Sequence, residues 1–239
     1  MSAITAPVES LTYFFPAFNE AGNVTPLVER ALEVLQPYCR HLEVIIVDDG
    51  STDGTQAEAE ALAGSHPSVR YLRHEQNLGY GEALRTGLSA ANGELVFYTD
   101  GDRQFDLLEL SRLWSQLEVA DVVAGYRIKR ADPPHRLFIA RTYNTIIRVL
   151  FGLRVQDVDC AFKLLRIEVA RQVRPHSGGA FFSAEFLLRA RKLGYRMVEV
   201  GVTHYPRTVG RPKGATPAVI LRTFREMFTL WWAFRVGRE

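Results

Sequence analysis

Short apolar runs alternate with amphipathic stretches from the start of this 239-residue chain, and that alternation leaves few folds open. The runs Leu11–Phe15, Glu43–Val47, Val69–Arg73, Glu94–Thr99 and Asp121–Gly125 have the length of buried strands rather than helices. Between them apolar residues recur at helical spacing. The first such stretch starts near Asn23 or Thr25 and runs through Leu27, Ala31, Leu32 and Leu35. Pro26 stands at an early helical position, where its missing N–H is little loss. Further helices are expected over Asp53–Ala63, Gly81–Ala91 and Asp106–Leu117. Strand and helix in strict alternation build an α/β fold, a mostly parallel central sheet with helices on both faces. Beyond Gly125 the order loosens. A basic, proline-containing stretch, Arg127 to Arg136, leads to a helix over Leu137–Leu150, a helix over Ala184–Leu193 and a strand over Arg196–Tyr205. A Gly/Pro/basic loop, Pro206–Pro217, and a final aromatic helix follow.

With 47% hydrophobic residues the chain can bury one large core. The expected organisation is a single catalytic domain over 1–216, with halves 1–125 and 126–216, and a separate helix over 217–239. The net charge of +2 hides an asymmetry: residues 1–60 hold ten acidic and two basic side chains, residues 189–239 eleven basic and three acidic. A basic end suits phosphates. The basic residues follow no nucleic-acid motif, so no nucleic-acid partner is expected. Cys39 and Cys160 match no metal spacing or disulfide framework, which fits a reducing cytoplasm. The N-terminus lacks a signal-peptide layout, and no uncharged apolar run reaches the roughly 18 residues of a spanning helix.

In open α/β sheets ligands bind beyond the carboxyl ends of the strands. Three of these ends are unusual: Pro16-Ala17-Phe18-Asn19-Glu20, Asp48-Asp49-Gly50-Ser51 and Asp100-Gly101-Asp102-Arg103-Gln104. Asp100 and Asp102, separated by one residue, can point to the same side, and with Gln104 they offer hard oxygen ligands for Mg²⁺ or Mn²⁺. Such an ion would neutralise the charge on a departing diphosphate.

Taken in order, P-A-F-N-E, D-D-G-S-T-D-G-T, N-L-G-Y-G-E-A and D-G-D resemble the inverting nucleotide-sugar transferases of glycosyltransferase family 2, whose fold is GT-A. The resemblance runs from about Leu11 to Lys213 and is closest to polyprenyl-phosphate sugar synthases of the dolichol-phosphate mannose type. It implies that Pro16, Phe18 and Glu20 border the nucleotide, that Asp48 or Asp49 holds the base or ribose, and that Asp100, Asp102 and Gln104 take the metal. Asp157-Val158-Asp159-Cys160-Ala161-Phe162-Lys163 is similar to the family's D-x-x-x-G-F-[KR] segment, with Ala161 for Gly. Arg207-Thr208-Val209-Gly210-Arg211-Pro212-Lys213 is similar to R-x-x-G-x-S-K, with Pro212 for Ser, and implies a loop that closes over the donor diphosphate or acceptor phosphate.

Arg127 and Arg141, the latter opening the next helix, are the candidates for gripping a lipid phosphate, with Arg207 and Lys213 as further phosphate ligands. The implied donor is a GDP- or UDP-hexose, GDP-mannose first. The implied acceptor is a polyprenyl phosphate, a nucleophile that needs no general base. A hydroxyl acceptor would need one, and Glu185 stands where hydroxyl-directed relatives keep it. Otherwise Glu185 is structural, holding a basic loop. His204 is read as packing or hydrogen-bonding within its strand.

Ile220, Phe224, Met227, Phe228 and Trp231 fall on one face of the last helix. With Arg222 and Arg225 beside them they suit a helix lying on lipid, on its own core, or on a membrane partner subunit. The expectation is a protein peripheral on the cytoplasmic face of a membrane. A nucleotidyltransferase is disfavoured, since Pro16–Glu20 is not a Gly-rich basic loop.

Overall fold

The computed structural model describes residues 7–128, 134–207, 209 and 217–237. Its centre is one seven-stranded sheet of order β3-β2-β1-β4-β6-β5-β7. Strand β1 (Val8–Ala17) lies parallel to β2 (Cys39–Asp48) on one side and β4 (Leu95–Tyr98) on the other, and β3 (Val69–Arg73) extends the sheet beyond β2. Strands β5 (Val122–Arg127) and β7 (Met197–Val202) are parallel to each other. Between β4 and β5 runs β6 (Lys163–Arg166), antiparallel to both.

The sheet separates two cores, and strand alternation decides which residue enters which. Tyr13 and Phe15 face one side, with Leu27, Val28 and Ala31 of helix α1 (Val24–Leu35). Phe14, between them, faces the other, with Ala83 and Leu84 of α3 (Tyr80–Ala90). Helix α2 (Thr55–Ser65) follows β2, and α6 (Ile167–Gln172) follows β6. Phe182, Phe186 and Leu187 of α7 (Phe182–Lys192) complete the second core together with α8 (Pro217–Arg235).

The expected strands and helices are present, with differences that have physical causes. β6 is not among the expected strands: four residues opening on a lysine carry no alternation signal. The helix expected over Asp106–Leu117 is a 3-10 turn, Leu107–Glu109, then α4 (Leu110–Trp114); the Asp106 carboxylate caps the turn by accepting from Leu108 N at 3.0 Å. Helix α5 (Pro134–Phe151) begins before Leu137, so Arg141 sits inside it rather than at its opening. On α8 the core face carries Met227 and Leu230, with Phe224 and Phe234 packed beside them. Phe228, expected on that face, is 53% exposed, in line with Leu221 and Trp232. Among the described residues no helix is long and apolar enough to cross a membrane.

Candidate active site

Ala17 pairs with Asp48, and Phe14 with Tyr98, so the ends of β1, β2 and β4 open at one edge of the sheet. Their loops are laced together. Asn19, in the left-handed region at φ 52°, donates its N–H to Ser51 Oγ at 2.9 Å and accepts from Thr52 N at 2.8 Å. Glu20 N donates to Thr55 Oγ1 at 2.8 Å. Gly101 brings the D-G-D turn against β1, where a Cβ would meet Pro16 O at 2.5 Å. Pro16 is buried at this edge and Phe18 half-buried.

Asp48 and Asp49 are both buried, and their carboxylates set loops. Asp48 accepts from Ser51 N and from the Tyr71 hydroxyl, each at 2.8 Å. Asp49 accepts from Leu78 N and Gly79 N at 2.9 Å, and its Oδ1 lies 2.7 Å from His74 Nδ1. The N-L-G-Y-G segment is thereby fastened to the end of β2.

At the end of β4 the carboxylates gather. Asp100 Oδ1 accepts from the Tyr80 hydroxyl at 3.0 Å. Burial raises its pKa, opposed by that hydrogen bond and by the charges of Arg127 and Lys163. Asp102 is pushed up to about 7, first by burial and then by Asp100, with Arg207 pulling the other way. Arg207 Nη1 reaches Asp102 Oδ2 at 3.3 Å, and Nη2 donates to both oxygens of Glu20. Gln104 Nε2 donates to Tyr205 O at 2.8 Å, tying this turn to the segment after β7.

On the other side, Arg127 grips Asp157 with two guanidinium N–H groups, Nη2 to Oδ1 at 2.7 Å, and this fork holds its pKa above the usual value despite burial. Arg141 is exposed on α5. Lys163 is fully buried; its ammonium donates to Val158 O and Cys160 O, and burial lowers its pKa. Glu185 accepts from His176 N at 2.9 Å, Ser177 N at 2.8 Å, the Ser177 hydroxyl and Arg189 Nε at 2.6 Å. Burial works against its charge, but these donors outweigh it and hold the pKa below the ordinary glutamate value. His204 is buried, with its ring edge-on to Phe105. Lys213 lies outside the described residues.

Residues 12–174 match the family model described as glycosyl transferase family 2. The chain belongs to that family. Among family 2 relatives, the dodecaprenyl-phosphate galacturonate synthase of Rhizobium johnstonii is 32% identical over 94% of this chain and 67% of its own length. The polyprenol monophosphomannose synthase of Mycolicibacterium smegmatis is 29% identical over 88% of this chain and 83% of its own. In fold, the chain is similar to glucosyl-3-phosphoglycerate synthase from Mycobacterium tuberculosis, solved with Mn²⁺, UDP-glucose and phosphoglyceric acid. The TM-score is 0.74 at 21% identity, covering 93% of this chain and 80% of that one.

The donor set at the end of β4 fits a hard divalent cation: two half-buried carboxylates, both raised in pKa first by burial, with Arg207 on Asp102 and the charges of Arg127 and Lys163 acting on Asp100. Among the described residues no group of three or more His, Cys, Asp or Glu is placed to hold an ion unaided. An ion there would complete its shell with phosphate oxygens and water, as Mg²⁺ commonly does. Two contributors carry no signal of their own in the sequence. Tyr80 lies within the quoted N-L-G-Y-G segment, but only the fold brings its hydroxyl to Asp100. His74 carries no motif at all and bridges Asp49 and Thr86.

Proposed function

We propose that this chain is an inverting glycosyltransferase that moves a hexose from a nucleoside diphosphate to a polyprenyl phosphate at a membrane surface. The observation that carries the reading is the half-buried Asp100 and Asp102 pair at the end of β4 in a family 2 chain, both raised in pKa first by burial. In this reading the donor half, 1–125, binds the nucleotide: Pro16, Phe18 and Glu20 border it, and Asp48 and Asp49 shape the loops that receive base and ribose. Asp100 and Asp102 would hold Mg²⁺ or Mn²⁺, which when bound supplies a Lewis acid for the leaving diphosphate. Gln104 keeps their turn in place through Tyr205. The acceptor half, 126–216, contributes Arg127, oriented by Asp157, and Arg141 to the lipid phosphate, with Arg207 and Lys213 as further phosphate ligands.

A phosphate monoester is already a competent nucleophile, so its oxygen attacks the anomeric carbon in line without a protein base. Glu185, the base a hydroxyl acceptor would call for, has its carboxylate filled by four donors and its pKa lowered. Exposed apolar residues on α5 and α8 (Phe138, Val149, Leu221, Phe228 and Trp232) stand among arginines, a composition suited to an anionic lipid surface on the cytoplasmic side. A membrane partner subunit is the other occupant such a stripe would take.

GDP-mannose is the first donor to test, and the names of the relatives put galacturonic acid beside it. The test mixes the protein, Mn²⁺ and a short polyprenyl phosphate with labelled GDP-mannose, UDP-glucose or nucleotide-linked galacturonic acid. The expected result is label from one donor entering the organic phase. Donor binding without lipid-linked product from any of the three would overturn the acceptor assignment.

A further inference from the structure

The chain leaving β7 turns back across the carboxyl ends of β4 and β1, and it is pinned as it goes. Thr203 N donates to Glu109 Oε2 at 3.0 Å, Tyr205 N to Gln104 O at 2.9 Å, and Gln104 Nε2 to Tyr205 O at 2.8 Å. Between them the His204 ring stacks edge-on against Phe105, 5.4 Å between centroids. This strap ends at Arg207. Its guanidinium bridges Glu20, from the loop after β1, and Asp102, from the turn after β4, while Nε donates to Val209 O at 2.6 Å. The three side chains are only 14%, 10% and 14% exposed for Arg207, Glu20 and Asp102. The cation seated on a carboxylate of the proposed metal site is therefore part of the protein.

We infer that Arg207 is a resident counter-ion that makes divalent-cation binding conditional on the donor. The inference rests on the proposed metal and diphosphate site. A cation arriving alone must take Asp102 from Arg207, leaving a largely buried guanidinium with one carboxylate fewer and a divalent charge beside it. A cation arriving with a nucleoside diphosphate brings acceptor oxygens, so Arg207 exchanges a carboxylate for phosphate and keeps its charge paired. The strap fixes the backbone before Arg207 through the double Tyr205–Gln104 link, so the exchange asks only for a turn of the side chain. By linkage, the diphosphate must raise the affinity for the cation by the factor by which the cation raises the affinity for the diphosphate.

The test titrates Mn²⁺ alone, then Mn²⁺ with GDP or UDP, into the wild type, Arg207→Gln, Arg207→Lys and Asp102→Asn, read by calorimetry and by the electron paramagnetic resonance of free Mn²⁺. Arg207→Gln is expected to bind Mn²⁺ alone about tenfold tighter than the wild type, and the nucleotide with Mn²⁺ about tenfold weaker. Arg207→Lys, which keeps the charge but loses the fork, should lie between the two. Thermal melting verifies that each variant is folded. If Arg207→Gln binds Mn²⁺ alone no tighter while Asp102→Asn abolishes Mn²⁺ binding, the metal site stands and this inference falls. If Asp102→Asn leaves Mn²⁺ binding unchanged, the metal site is misassigned and the inference falls with it.

Discussion

The buried Glu185 and the half-buried Asp102 are both carboxylates withdrawn from water, yet their surroundings drive them in opposite directions. Glu185 faces four donors and is held below the ordinary glutamate value; Asp102 is pushed up to about 7, first by burial and then by Asp100, against the pull of Arg207. A depressed carboxylate pKa contributes stability that is present above the unfolded-state pKa and lost as pH falls through the folded one. Glu185→Gln is therefore expected to lose about 1–3 kcal/mol at pH 7, because its donors are left facing a neutral amide. The deficit should shrink as the wild type is acidified below its own Glu185 pKa. Denaturant unfolding of both proteins from pH 7 to pH 3 measures it, and a deficit independent of pH would show that the charge is not what matters. Gly50 makes a second prediction. At φ 74° any Cβ would lie 2.5 Å from the carbonyl carbon of Gln76, so Gly50→Ala should cost at least ~1–3 kcal/mol in the same assay. At this scale the carboxylates were legible because acidic residues at apolar strand ends are conspicuous. Tyr80 and His74 were not, because their roles arise from contacts to Asp100 and Asp49, 20 and 25 positions away.

The last helix shows what an element adds to its residues. Helical periodicity puts one apolar face on α8, while the fold buries Met227 and Leu230 and leaves Leu221, Phe228 and Trp232 outside. A helix with two apolar stripes gives a hydrophobic pattern too wide to divide without knowing where the core lies. The two stripes should respond differently. Met227→Ala is expected to destabilise by about 2–5 kcal/mol, the usual range for a buried methionine. Trp232→Ala should change stability by less than about 0.5 kcal/mol but weaken sedimentation with anionic lipid vesicles several-fold. Vesicle binding unchanged in Trp232→Ala would direct attention to a protein partner for that face. The same limit hid β6: it is short, starts with a buried lysine, and gains its place only by pairing with β4 and β5.

Over the whole molecule, alternation of strand and helix was enough to specify a parallel sheet and to bring three acidic strand ends to one edge. The antiparallel β6 and the strap from β7 to β4 were not legible, since both depend on long-range pairing that leaves no periodic trace. Together they leave Asp102 paired with Arg207, beside Asp100, with the Arg127–Asp157 pair beyond. In the proposed reaction this pair supports sugar transfer to a phosphate without a protein base. That role is tested most directly by following labelled sugar into polyprenyl phosphate product with the wild type, Asp102→Asn and Glu185→Gln. Asp102→Asn should lower the rate at least ~100-fold, as expected when a charge-stabilising group is removed. Glu185→Gln, at a temperature where it is folded, should keep the rate within a few-fold of the wild type. Loss of transfer in a folded Glu185→Gln, or full activity in Asp102→Asn, would contradict the account.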